Sequence, residues 1–191
     1  MRLELNVLTR IAHWDLGQPI ANSELLKMSQ RNLLTFVGVV QPKPLGLLLP
    51  LAPRGSLSDW LRKLNRYVQE CQTKLVTNEH PILHPVHPLT LSLLFYQLSS
   101  ALAHLHNLRI VHRDIKPDNV LIWDLPETAT VSGQPQIVSD PRTVRVYITD
   151  YGVSRSTALM DGCRGFAGTH GYIAPELLEY QGDETYTEKV C

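Results

Sequence analysis

The 191-residue sequence predicts an α+β domain, and three observations carry that prediction. Leu89–Leu108 is a long segment with apolar residues recurring at helical spacing. Short strand-like runs at Leu33–Val40, Leu45–Leu51, Asn119–Trp123 and Val144–Ile148 are bounded by turn-forming or polar residues. Helical and strand signals alternate along the chain without an internal repeat, which excludes a solenoid.

Taken in order, Arg2–Arg10 places Leu5 with Leu8 and Leu3 with Val7 on one apolar helix face. No capping residue precedes it, so the chain reads as though earlier structure had been cut away. Gln41, Pro42, Lys43 and Pro44 join the first two strands as a turn. A helix starts near Gly55, with Ser56 or Ser58 as its cap. Val76–Pro88 is rich in proline and histidine and reads as a loop, since Pro85 and Pro88 do not suit a helix interior. The helix at Leu89–Leu108 is apolar enough to be mostly buried. Pro126–Pro141 is expected to be an irregular insertion between two paired strands, Asn119–Trp123 and Val144–Ile148.

The composition is 43% hydrophobic and 19% charged, ordinary for a soluble domain. Eighteen basic residues balance eighteen acidic ones, so nothing global attracts nucleic acid or an anionic membrane. Any anion must be held locally. No apolar run is long enough for a membrane span and no start resembles a signal peptide. Cys71, Cys163 and Cys191 show no metal or redox spacing and are expected to be reduced thiols in the cytoplasm. The seven histidines other than His112 are expected to be loop or surface residues.

The stretch "IVHRDIKPDNVLIW", Ile110–Trp123, sets four charged side chains and a histidine between apolar residues. His112-Arg113-Asp114 and Asn119 have the order and spacing of a protein kinase catalytic loop. Asp150-Tyr151-Gly152 stands where that family has Asp-Phe-Gly, and Ala174-Pro175-Glu176 stands at the far end of an activation segment. Three motifs in the correct order make coincidence negligible. The chain resembles the middle of a protein kinase catalytic domain. Tyr151, "NVLIW" and "GTHGYIAPE" make it most similar to the leucine-rich-repeat, Roco-type serine/threonine kinases.

The resemblance implies a role for each charge. Asp114 would aim the acceptor hydroxyl and take its proton, and Lys116 would offset charge on the γ-phosphate. Asn119 and Asp150 would be the oxygen ligands of Mg²⁺, with ATP as phosphoryl donor and a protein Ser or Thr as acceptor. Glu4 would pair with a strand lysine, and Leu8 would pack toward Tyr151 and His112. Leu49, Pro50 and Ala52 would form the hinge that holds adenine through backbone groups. Leu121 joins the nucleotide-binding set, although a leucine there suits a core in any fold. His112 is expected to pack and hydrogen-bond without acting as a base. Arg113 would pair with a phosphate on the activation segment, where Ser154, Ser156, Thr157 and Thr169 offer hydroxyls. Lys116 with Thr169, seven residues before Glu176, fits the serine/threonine-specific pattern.

Against the family pattern, no glycine-rich loop or V-A-I-K lysine precedes Glu4, and the later helices of the large lobe do not appear. The expectation is a truncated two-lobe fold over 1–191. Residues 1–52 would be a remnant of the small lobe and hinge, and 53–191 the first half of the large lobe. Apolar surface on the helix at Leu89–Leu108 would then be partly uncovered. The alternative to catalysis is an inactive kinase-like fragment acting as a binding or regulatory module.

Overall fold

The computed structural model describes residues 7–8, 11, 31–40, 46–74, 86–126, 128–131, 134–137, 139–157, 162–179 and 185–187. In chain order the elements are β1 (Gly38–Val40), β2 (Gly46–Leu48), α1 (Leu57–Lys74), α2 (Pro88–Asn107) and β3 (Ile110–Val111). A 3₁₀ turn (Pro117–Asn119) then leads into β4 (Val120–Asp124), β5 (Thr128–Val131), β6 (Gln134–Ile137), β7 (Arg145–Ile148), β8 (Arg155–Ser156) and α3 (Pro175–Leu178). The strands form four antiparallel pairs: β1 with β2, β3 with β8, β4 with β7 and β5 with β6. Helices and small sheets together make an α+β architecture.

Helix α1 starts where its sequence demands. Gly55 has a φ of 74°, in the left-handed region that glycine enters without a Cβ penalty. Ser56 Oγ accepts the Asp59 N–H at 3.1 Å, while Asp59 Oδ2 accepts from the Ser56 N–H at 3.3 Å and the Ser56 hydroxyl at 2.9 Å. This reciprocal pair satisfies groups that a helix N-terminus leaves without intrahelical partners, and it selects Ser56 over Ser58 as the cap. Leu57 is buried and Trp60 half-buried against Ile122 and Val146.

Helix α2 begins at Pro88, the first-turn position where proline loses no intrahelical bond, and His87 Nδ1 accepts the Leu89 N–H at 3.1 Å. Its buried residues, Thr90, Leu94, Ala101 and Leu105, form one stripe. The expectation of a mostly buried helix is corrected here. Phe95 and Tyr96 are 65% and 71% exposed, and Leu89 and Leu91 also face solvent. One apolar face packs and the other remains uncovered. The insertion expected to be irregular contains the β5–β6 hairpin. The β-branched residues Thr128, Thr130 and Val131 pair in register, and Pro135 is accommodated in the second strand of this isolated pair. The expected first two strands are also shorter, because only Gly38–Val40 and Gly46–Leu48 make a ladder.

β7 is the spine of the domain. One edge pairs with β4. Along the other, Leu34 N–H donates to Ile148 O at 2.8 Å and Ile148 N–H donates to Asn32 O at 2.8 Å. Gln97, from α2, completes that edge: its amide donates to Val144 O at 2.7 Å and its oxygen accepts the Val146 N–H at 3.0 Å. Buried backbone groups require such partners. Leu8, Leu33, Leu105, Ile110, Ile148 and Tyr151 then form the main core. Val7 and Leu8 are helical and buried as expected of the first helix, and so is Ile11 just past its expected end; the helix's remaining expected residues, Glu4 included, lie outside the described ones.

Candidate active site

The stretch from Ile110 to Asp124 is a short strand, a loop, a 3₁₀ turn and another strand, so its polar residues are held by paired backbone on both sides. Arg113, with a φ of 69°, turns the chain sharply between His112 and Asp114. Three side chains meet the Asp114 carboxylate. Lys116 Nζ lies 2.9 Å from Oδ2, Asn119 Nδ2 donates to Oδ2 at 3.0 Å, and Thr169 Oγ1 donates to Oδ1 at 2.6 Å. Asn119 Nδ2 also donates to the Asp114 carbonyl at 2.8 Å, which turns its amide oxygen away from Asp114. Lys116 Nζ donates to Thr169 Oγ1 at 2.5 Å, closing the ring of contacts.

Burial on its own would raise the Asp114 pKa, but hydrogen bonds from Thr169, Lys116 and Asn119 and the charge of Lys116 outweigh it and hold the carboxyl below its ordinary value. Lys116 is shifted up, chiefly by its hydrogen bond to Asp114. Both groups are therefore charged at neutral pH. Asp150 stands on the neighbouring loop. Thr149 ties the two loops together: its N–H donates to Asn119 O at 3.0 Å, and its carbonyl accepts from His112 Nε2 at 2.9 Å. Asp150 has a φ of 64°, and its Oδ1 accepts the Gly152 N–H at 3.3 Å. Its charge, like that of Asp114, is felt at both His112 and Lys116, so the two carboxylates share one locality.

His112 is fully buried and packs edge-on against Tyr151, with ring centroids 5.5 Å apart. With Nε2 facing a carbonyl, that nitrogen carries the proton, and Nδ1 accepts the Asp114 N–H at 3.3 Å. The neutral imidazole suits both contacts. Desolvation pushes the His112 pKa down and favours that form. Tyr151 is also buried, which drives its phenol well above the ordinary range, and its hydroxyl donates to Ile148 O at 2.9 Å.

Within the regulatory expectation, Ser154 requires correction. Ser154 is fully buried and donates to His112 O at 3.2 Å, so it offers no accessible hydroxyl. Arg113 is buried and already engaged: Nε donates to Val153 O at 2.6 Å, and one terminal nitrogen donates to Tyr186 Oη at 3.0 Å and Arg164 O at 3.4 Å. Tyr186 in turn donates to Gly165 O at 2.8 Å. These contacts tie the described parts of the segment to the catalytic loop without a phosphate. Gly168 has a φ of 120°, and a Cβ there would lie 2.9 Å from Arg113 O. Only glycine permits that approach, and Thr169 follows directly onto Asp114.

Of the expected nucleotide-binding residues, Leu49, Pro50 and Ala52 form an irregular connection after β2. Ser56 bridges to Leu121, and the Ile122 N–H donates to Gly55 O at 2.9 Å, setting this connection against β4. Leu121 is half-buried there. The sequence reading did not anticipate Thr149, or Thr169 as a direct partner of Asp114. Thr169 had a signal in its seven-residue distance from Glu176; Thr149 contributes backbone atoms and had none.

Catalytic-loop, Asp-Tyr-Gly and Ala-Pro-Glu segments gathered in this order and geometry define a protein kinase fold. The chain belongs to the protein kinase family: the model for the protein kinase domain matches residues 22–190. Among its relatives, leucine-rich repeat serine/threonine-protein kinase 1 of Caenorhabditis elegans is 34% identical over 88% of this chain and 6% of its own length. The Mus musculus protein of the same name is 31% identical over 76% of this chain and 6% of its own. Serine/threonine-protein kinase atg1 of Schizosaccharomyces pombe is 29% identical over 71% of this chain and 16% of its own. The chain thus spans a small part of the length of these relatives. No helix among the described residues is long and apolar enough to cross a membrane.

Proposed function

We propose that this chain transfers the γ-phosphoryl group of ATP to serine or threonine hydroxyls of proteins, in the cytoplasm, with Asp114 as the general base. The observation that supports this most is the Asp114 cluster. A carboxylate kept ionised by Lys116, Asn119 and Thr169 already accepts a hydroxyl hydrogen bond at 2.6 Å, the kind of contact an incoming acceptor would make. In the reaction the acceptor oxygen bonds to the γ-phosphorus, the bond to the β-phosphate bridging oxygen breaks, ADP leaves, and the hydroxyl proton passes to Asp114.

Lys116 supplies fixed positive charge beside the reacting oxygens. Asp150 and the outward-turned amide oxygen of Asn119 are hard oxygen donors suited to Mg²⁺, which neutralises phosphate charge when bound. Leu49, Pro50, Ala52 and Leu121 would cradle the base, the hinge through its backbone groups. Glu4 keeps its proposed role as partner of a lysine.

The test is phosphate transfer from Mg-ATP to a Ser/Thr peptide by this chain and by Asp114→Asn. Asparagine preserves size and can still accept Thr169, but it cannot take the proton. A loss of roughly 10²- to 10⁴-fold is expected, as for removal of a general base. Equal transfer by the variant would refute the assignment. A folded chain that transfers nothing would leave the binding-module reading in its place.

A further inference from the structure

Beside the hinge lies a groove of about 610 Å³ lined by Pro53, Arg54, Gly55, Asp59, Arg62, Lys63 and Arg66. Its chemistry is lopsided. Four bases and one acid face it in a chain whose total charge is zero. The positions 59, 62, 63 and 66 repeat at helical spacing and place one stripe of α1 along the groove, opposite the face that buries Leu57. The acid does not neutralise the cluster. Asp59 already accepts from Ser56 and from Arg62 at 2.7 Å, and all three bases on the helix are exposed.

The position of the groove matters as much as its charge. Gly55 and Arg54 are fastened to Ile122 of β4 by backbone hydrogen bonds, and α1 packs on the Pro117–Asn119 turn that follows the Asp114 loop. The helix that carries the stripe thus also touches the turn that follows the Asp114 loop.

We infer that this groove is a docking site for acidic residues flanking the phosphorylated serine or threonine of a protein substrate. The inference rests on the kinase reading above and specifies its substrate class. Pro53–Gly55 line the groove beside the stripe, and the short stripe, with a carboxylate among its bases, is poorly matched to a flat anionic membrane. Such exposed contacts steer and select more than they tighten, and salt weakens them.

The experiment uses two fluorescent Ser/Thr peptides that differ only in flanking Glu or Gln, with this chain and its Lys63→Glu/Arg66→Glu variant. Neither substitution removes the Arg62–Asp59 pair, and circular dichroism confirms folding. A Lys63→Gln/Arg66→Gln variant provides the graded control. Expected is binding of the Glu peptide about tenfold tighter than the Gln peptide at low salt, a preference halved or more by the Gln variant and abolished by the Glu variant. Phosphate transfer is measured in parallel. Equal binding of both peptides with normal transfer overturns the docking site and leaves the kinase reading standing. Charge-dependent binding without transfer supports the docking site and counts against the kinase reading. A variant that changes binding to phosphatidylserine vesicles but not to the peptides also overturns the inference.

Discussion

His112 is held between the Thr149 carbonyl, the Asp114 N–H and the Tyr151 ring, and its burial excludes the charged form. Its ordinary pKa is 6.5 and its folded value is lower. The unfolded chain therefore binds a proton first as pH drops. Stability should fall from about pH 6.5 downward until the folded value is reached, by at most about 1.4 kcal/mol per pH unit from this group. Urea midpoints across that range check it. His112→Phe keeps ring packing but cannot titrate, so its pH slope should be shallower; identical slopes would contradict the assignment. The identities of Asp114, Lys116 and Asn119 were legible as a motif because their types and spacing match the family's pattern. The partners of Arg113 were not, since Val153, Arg164 and Tyr186 reach it only through folding.

Among the elements, α1 was readable from Gly55 and two candidate serines, and the hydrogen bonds decide between them. Ser56→Ala should cost about 1 kcal/mol, as loss of an N-cap does, whereas Ser58→Ala should be nearly neutral. Paired thermal melts of the two variants measure the difference. The β5–β6 hairpin was hidden because prolines dominated the local pattern, while its β-branched residues signal pairing only once the two strands are opposed. Helix α2 was legible in extent, and its partly uncovered apolar surface was expected from the missing family helices, but its hydropathy overstated its burial. Periodicity marks which residues share a face, and it does not say whether anything covers the second face, as Phe95 and Tyr96 show.

At the level of the whole molecule, the core joins α2, β3 and β7 to Tyr151, so packing and site are mechanically continuous. Leu105 is fully buried at that junction. Leu105→Ala should destabilise the domain by about 2–5 kcal/mol through lost burial and a residual cavity. Denaturant unfolding provides the measurement, with exposed Leu91→Ala as the comparison expected to change little. Substitution at Leu105 should also lower activity, because Ile110 and Tyr151 flank the catalytic loop.

The sequence by itself determined the mixed architecture and the order of the kinase segments. These follow from local periodicity and from motif spacing along one chain. Only the tertiary structure decided that Thr169 sits on Asp114, that Gln97 completes the edge of β7, that Ser154 is buried, and that four bases line a groove beside the hinge. Each of these depends on segments distant in sequence meeting in space, where burial and hydrogen-bond satisfaction, rather than spacing, select the partner.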